Sequence, residues 1–225
     1  MKRFVTLVLR FLISIIAKTE ISGLENIPLD RPVVLCGNHI GILDGPFIPT
    51  IPVVRDHPNQ IVVVAEKYQE SGILGWGADK LGFLFIDRYN PDVKTLKIVL
   101  RRLEKNGLLV IAPEGTRSPN ASLIEGKSGA AYLAAKTGAT IIPFGSTGTE
   151  DHFLKTKLKK FKRLQVKINI GKPFTIPELP KAGKEREDFL RTYTDEIMCQ
   201  IAALLPESYR GIYAHHPRLY EILGT

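Results

Sequence analysis

Cysteine and long uninterrupted apolar runs are scarce in this sequence, and each scarcity excludes something. Only two cysteines, Cys36 and Cys199, occur in 225 residues. Cys36 falls in a predicted strand and Cys199 in a predicted helix, which fits reduced, buried thiols rather than a disulfide framework. The apolar run Phe4–Ala17 is broken by Thr6, Arg10 and Ser14. As a helix it would reach about 21 Å, short of a hydrocarbon core of about 30 Å, and Arg10 near its middle makes crossing costlier still. No small-x-small cleavage site follows it; Lys18-Thr19-Glu20 comes instead, so it does not read as a signal peptide. There is no G-x-S-x-G elbow for a serine nucleophile, no internal repeat and no low-complexity segment. The adjacent His215-His216 has no cysteine or carboxylate spacing around it to suggest a metal. Acidic residues are outnumbered, 23 against 31 basic, for a net charge of +8 and a pI near 9.4. That balance favours anionic partners. The ordinary apolar share of 44% excludes a disordered chain and a multi-span membrane protein alike.

What is present is a regular alternation of elements. Val33–Cys36, Ile61–Ala65, Phe83–Ile86, Leu108–Ala112 and Thr140–Phe144 read as buried strands, and Leu164–Ile170 as an outer one. Between them, helices are predicted over Ser71–Leu81, from Asn90-Pro91-Asp92 to Lys105, over Ser128–Lys136 with Gly138 as stop, and over Glu185–Leu205. Residues 21–31 read as a polar connection. The pattern predicts an α/β fold, a mostly parallel sheet covered by helices on both faces, with an apolar N-terminal helix. Residues 1–20 form that helix, lying in a membrane interface or packed on the core, and residues 21–225 a single domain. In such sheets ligands bind at the carboxyl ends of the strands. His39, Arg88 and Glu114–Arg117 each follow a strand.

The stretch Cys36-Gly37-Asn38-His39-Ile40-Gly41-Ile42-Leu43-Asp44-Gly45-Pro46 is the densest of these strand ends. Positions five apart do not meet on a helix, but a turn through Gly41 would let Asp44, placed as an N-cap, accept a hydrogen bond from one imidazole nitrogen of His39. The other nitrogen would then be a base facing the cleft.

Asn38-His39-x-x-x-x-Asp44 resembles the first signature of the glycerolipid acyltransferases, the family of 1-acyl-glycerol-3-phosphate acyltransferases. Gly82-Phe83-Leu84-Phe85-Ile86-Asp87-Arg88 is similar to the second block, Pro113-Glu114-Gly115-Thr116-Arg117-Ser118 to the third and Ile141-Ile142-Pro143-Phe144 to the fourth, in the same order. Two departures stand out: Ile40-Gly41 replaces a common polar pair, and many members have a longer N-terminal membrane segment. The resemblance implies transfer of a fatty acyl group from a thioester (acyl-CoA or acyl carrier protein) to the free hydroxyl of a lysophospholipid, foremost 1-acyl-glycerol-3-phosphate; another lysolipid or glycerol-3-phosphate is the alternative acceptor. It needs no cofactor beyond the thioester co-substrate. His39 would be the general base and Asp44 its orienting partner. The second and third blocks would bind the glycerol phosphate, with Arg88 and Arg117 suited to it by their bidentate forks and Lys127 as a third cation. Glu114 would hold a glycerol hydroxyl or orient Arg117, and the backbone at Gly115-Thr116 would face the oxyanion. Trp76 and Leu81, in the helix predicted over Ser71–Leu81, read first as core packing and second as the lining of an acyl-chain cleft.

Lys155, Lys157, Lys159, Lys160, Lys162, Arg163 and Lys167 crowd one stretch with no acid among them. Beside an apolar N-terminal helix they suggest an anionic membrane surface. The expected location is therefore peripheral, a monotopic enzyme on the cytoplasmic face. No nucleic-acid signature accompanies the charge, so no nucleic-acid partner is expected. Ala121–Ser128 looks like a P-loop lacking its first glycine, but the strand before it ends at Ala112 and the acidic strand precedes rather than follows it, which argues against nucleotide binding.

Overall fold

The computed structural model describes residues 2–87, 93–160 and 162–224. In chain order the elements are α1 (Lys2–Ile16), β1 (Ala17–Ser22), β2 (Val33–Gly37), α2 (Asp44–Phe47), α3 (Pro52–Asp56), β3 (Gln60–Ala65), α4 (Ile73–Leu81) and β4 (Leu84–Ile86). There follow α5 (Val93–Leu103), β5 (Leu108–Ile111), α6 (Gly129–Thr137), β6 (Thr140–Thr147), α7 (Asp151–Lys159), β7 (Leu164–Ile170), α8 (Lys184–Ala203) and α9 (Pro217–Leu223).

The strands form one sheet in the order β1-β7-β6-β2-β5-β3-β4. Every neighbouring pair is parallel except β6–β7, which is antiparallel. The fold is thus the mostly parallel α/β sheet that the alternation of elements predicts. The β-branched residues of the inner strands alternate strictly between two cores, as period-two geometry requires. Val34, Cys36, Ile61, Leu109 and Ile141 face α5, α6 and α8, where Leu103, Ile197 and Met198 are fully buried. Val33, Leu35, Val62, Val110 and Ile142 face the other way, against Ile13 of α1, Phe47, Ile51 and Val54. Both cysteines are free and buried in the first of these cores.

Helix stops follow the sequence where it is specific. Gly138, at φ 64°, returns its N–H to the Ala134 carbonyl and ends α6 in the left-handed turn that glycine adopts without strain. The predicted cap of α5 at Asn90-Pro91-Asp92 lies outside the described residues.

The segment expected as a connection from residue 21 departs most. Ala17–Ser22 is a strand, running directly on from α1 and pairing in parallel with β7 from Ala17↔Leu164 to Ser22↔Asn169. The boundary expected at residue 20 therefore falls inside β1. The reason is its edge position: Lys18 and Glu20 point to solvent, so no apolar run marks the strand, and charged edges are how sheets discourage further pairing. Among the described residues no helix is long and apolar enough to cross a membrane. Phe4, Leu7 and Phe11 of α1 are nevertheless 61–67% exposed.

Candidate functional site

β2 ends against a ring. A Cβ on Gly37 would lie 2.2 Å from the Phe144 ring, so the strand closes on glycine. Asn38 then behaves like one more rung of the sheet. Its side-chain amide donates to the Ser146 carbonyl at 2.8 Å, and its Oδ1 accepts the Ser146 N–H at 2.7 Å. This buried pair fixes the direction in which the chain leaves the sheet.

His39 follows, with its backbone held on both sides by the third block. Its N–H donates to Glu114 Oε1 at 3.0 Å and its carbonyl accepts the Ser118 N–H at 2.8 Å. Its imidazole Nδ1 lies 2.8 Å from Asp44 Oδ2. The same oxygen accepts the N–H groups of Ile40 at 2.7 Å and Gly41 at 2.9 Å. A carboxylate oxygen that takes two backbone N–H groups is placed to accept a third hydrogen from Nδ1, which leaves Nε2 as the ring nitrogen turned away from Asp44. The five-residue spacing is closed by a turn, with the Asp44 N–H on the Gly41 carbonyl. Asp44 is thus not a forward cap. It opens α2 without capping it, and its carboxylate turns back onto the loop before it, onto the N–H groups of Ile40 and Gly41 and the imidazole. Gly41 leaves no room for a side chain: a Cβ there would be 1.7 Å from the Thr149 carbonyl oxygen.

Of the two roles expected for Glu114, holding a glycerol hydroxyl or orienting Arg117, the second is not what the structure shows. Glu114 is 1% exposed, and its two oxygens accept the backbone N–H groups of His39 and, at 3.1 Å, Ile124. It clamps two loops together. Burial pushes its pKa up to about 7, with those two N–H donors and the His39 ring pulling the other way and the Asp44 charge adding to the rise. Arg117 is instead held by Asp151, whose Oδ2 accepts from Nη1 at 2.6 Å. The Gly115 N–H, one of those expected to face an oxyanion, is bonded to the Ala112 carbonyl at 3.0 Å, because Gly115 turns at φ 68°. Lys127 donates its backbone N–H to Pro113 and lays its side chain over Gly115, with Nζ 3.2 Å from where a Cβ there would be. Thr116 also lines the cleft. Arg88 lies outside the described residues.

His39, Asp44, Gly115, Thr116, Arg117, Lys127 and Asp151 all line one cleft of about 1110 Å³ at the carboxyl ends of the strands, with Glu114 buried behind it. Its floor is apolar, from Val62, Val110, Phe144 and Ile168, and α1 supplies a wall with Val8 and Leu12. Trp76 and Leu81, read from the sequence as core residues before cleft residues, both line it, Leu81 as a buried side chain. His39, Asp44, Arg117 and Lys127 are among its polar lining. Asp151 was not singled out by its sequence, although it too follows a strand, β6, at the carboxyl edge.

Residues 18–147, more than half of the chain, match the protein-family model described as Acyltransferase. A chloroplastic 1-acyl-sn-glycerol-3-phosphate acyltransferase of Brassica napus is 33% identical over 143 residues, which is 59% of this chain and 38% of that one. The human 1-acyl-sn-glycerol-3-phosphate acyltransferase alpha is 26% identical over 178 residues, 76% of this chain and 58% of that one. The chain therefore spans well under two thirds of the length of these relatives. Among solved structures, that of the 1-acyl-sn-glycerophosphate (LPA) acyltransferase PlsC from Thermotoga maritima superposes with a TM-score of 0.65 at 22% identity, covering 90% of this chain and 78% of that one, a likeness of fold.

Proposed function

This chain belongs to the acyltransferase family, and from that premise we propose that it moves a fatty acyl group from a thioester to the free hydroxyl of a lysophospholipid, 1-acyl-glycerol-3-phosphate before others. The observation that carries the reading is the three-donor grip of Asp44 Oδ2, which holds the His39 ring by Nδ1 in a cleft lined by apolar residues together with Arg117 and Lys127.

A thioester is already activated, so the protein needs no nucleophile of its own. His39 Nε2 takes the proton from the acceptor hydroxyl as that oxygen attacks the thioester carbonyl. The tetrahedral intermediate collapses with cleavage of the C–S bond, and His39 returns the proton to the departing thiolate. Asp44 keeps the ring in this tautomer and stabilises the imidazolium formed in between. The acceptor's phosphate lies against Arg117 and Lys127, with Arg88 as a further cation, and Thr116 and Gly115 shape the wall beside it. Glu114 serves this site by fixing the backbone of His39. The acyl chain occupies the apolar floor. α1 lies in the headgroup region of the cytoplasmic leaflet through Phe4, Leu7 and Phe11, and the exposed Lys160, Lys162, Arg163 and Lys167 meet anionic lipid, giving the two signals that stable peripheral binding needs.

The test follows thiol release from acyl-CoA, and from acyl carrier protein thioesters, with a panel of phosphorylated and phosphate-free lysolipids and glycerol-3-phosphate. Release is expected to depend on a phosphate-bearing acceptor, and His39→Ala to lower kcat by about 10²–10⁴-fold with folding intact. Release unaffected by acceptor, or by His39→Ala, overturns the reading.

A further inference from the structure

The loop that carries His39 is docked on the segment following β6 by two contacts. Gly41 packs on the Thr149 carbonyl so closely that no side chain fits between them. One residue on, the Ile42 N–H donates to Asp151 Oδ1 at 2.8 Å. The other oxygen of the same carboxylate, Oδ2, accepts from Arg117 Nη1 at 2.6 Å. A single side chain at the first turn of α7 therefore joins the loop of the base to the arginine of the third block, which reach it from 109 and 34 residues away in the sequence.

Stability does not account for this arrangement. The two side chains are 33% and 46% exposed, and exposed ion pairs contribute little to folding. What the contact fixes is orientation. A guanidinium presents five N–H donors in one rigid plane, so committing Nη1 to an anchored carboxylate sets the plane in which the remaining donors face the cleft. We infer that Asp151 is a positioning residue, aiming Arg117 at the phosphate of the acceptor and holding it in register with His39. This rests on the proposed reading of Arg117 as a phosphate contact.

The experiment is steady-state kinetics with donor and acceptor varied separately, for Asp151→Asn, Asp151→Ala, Arg117→Ala and the double variant Arg117→Ala/Asp151→Asn. The asparagine variant keeps an oxygen for the Ile42 N–H but cannot pair with a cation. It is expected to raise the acceptor KM about tenfold, with donor KM and kcat within about twofold of the parent. Asp151→Ala, which also frees Ile42, is expected to lower kcat about tenfold as well. Arg117→Ala is expected to raise the acceptor KM at least as much, and Asp151→Asn to add nothing in its background. If Arg117→Ala raises the acceptor KM and Asp151→Asn does not, the positioning role is overturned while the phosphate contact stands. A lower acceptor KM in Asp151→Asn overturns it too, since Asp151 would then compete with the phosphate. An unchanged acceptor KM in Arg117→Ala overturns the phosphate reading and this inference with it.

Discussion

The two faces of the sheet are built from the same strands and end up unlike each other. On the face toward α5, α6 and α8, Leu103, Ile197, Met198 and Ile201 are all at most 1% exposed, and the face is sealed. On the opposite face Val62, Val110, Phe144 and Ile168 are also buried, yet they form the floor of an open cleft, walled on one side by Val8 and Leu12 of α1. One face supplies the burial that holds the fold, which releases the other from having to close. A parallel sheet of this size can therefore keep a large apolar groove at its functional end without surrendering its core.

Removing a side chain from the sealed face is the hardest way to test that division. Leu103→Ala is expected to lower stability by about 2–5 kcal/mol, seen as an earlier denaturation midpoint, because the closed packing cannot relax into the space left. Its KM values should stay those of the parent wherever the protein is folded. A loss under about 1 kcal/mol would mean the sealed face is looser than its burial implies.

Glu114 sharpens the comparison from the other side, being a carboxyl of the functional end buried as deeply as the closed core. Its folded pKa is near 7 against an ordinary 4.5, so between those values the native state holds a proton that the unfolded state has released. Stability should then fall as pH rises from about 4.5 to 7, by roughly 3 kcal/mol in all. Glu114→Gln removes the titrating group and should flatten that slope in denaturation midpoints measured across the range. A slope unchanged in the variant would assign it to another group.

The smallest stability effect belongs to the outer side of α1. Phe11→Ser should shift stability by no more than about 0.5 kcal/mol, while reducing binding to anionic vesicles about tenfold, as removal of an inserted aromatic side chain does. A large loss of stability with unchanged vesicle binding would make α1 a core helix on both sides.

How far the sequence carries depends on whether a residue's role is set locally. The inner strands were legible because Val, Ile and Leu runs bounded by Gly and Pro admit little else, and Gly138 because a left-handed stop has a residue preference. His39 and Asp44 were legible as a pair because five residues and a glycine suffice to close the turn. β1 was not: Ala17-Lys18-Thr19-Glu20 looks polar, and its partner β7 lies some 147 residues on. The antiparallel setting of β7 on β6 leaves no trace in periodicity either. Glu114 resembled a ligand-binding carboxylate in its motif, and only the fold reveals that its oxygens are engaged by Ile124 and, across 75 residues, His39. Asp151 carried no motif at all; its meaning lies wholly in what the fold brings to it.

The two cysteines have a practical consequence at the bench. The thiolate is the form that attacks electrophiles and disulfide reagents, and burial raises the pKa of Cys36 and pushes that of Cys199 up to about 12. Both sulfurs are also buried, so neither is expected to take up an activated acyl group or to exchange with a chromogenic disulfide while the chain is folded. Colour developed during turnover thus comes from the leaving group alone. The same reagent, applied along a denaturant series without substrate, counts the molecules whose sealed face has opened.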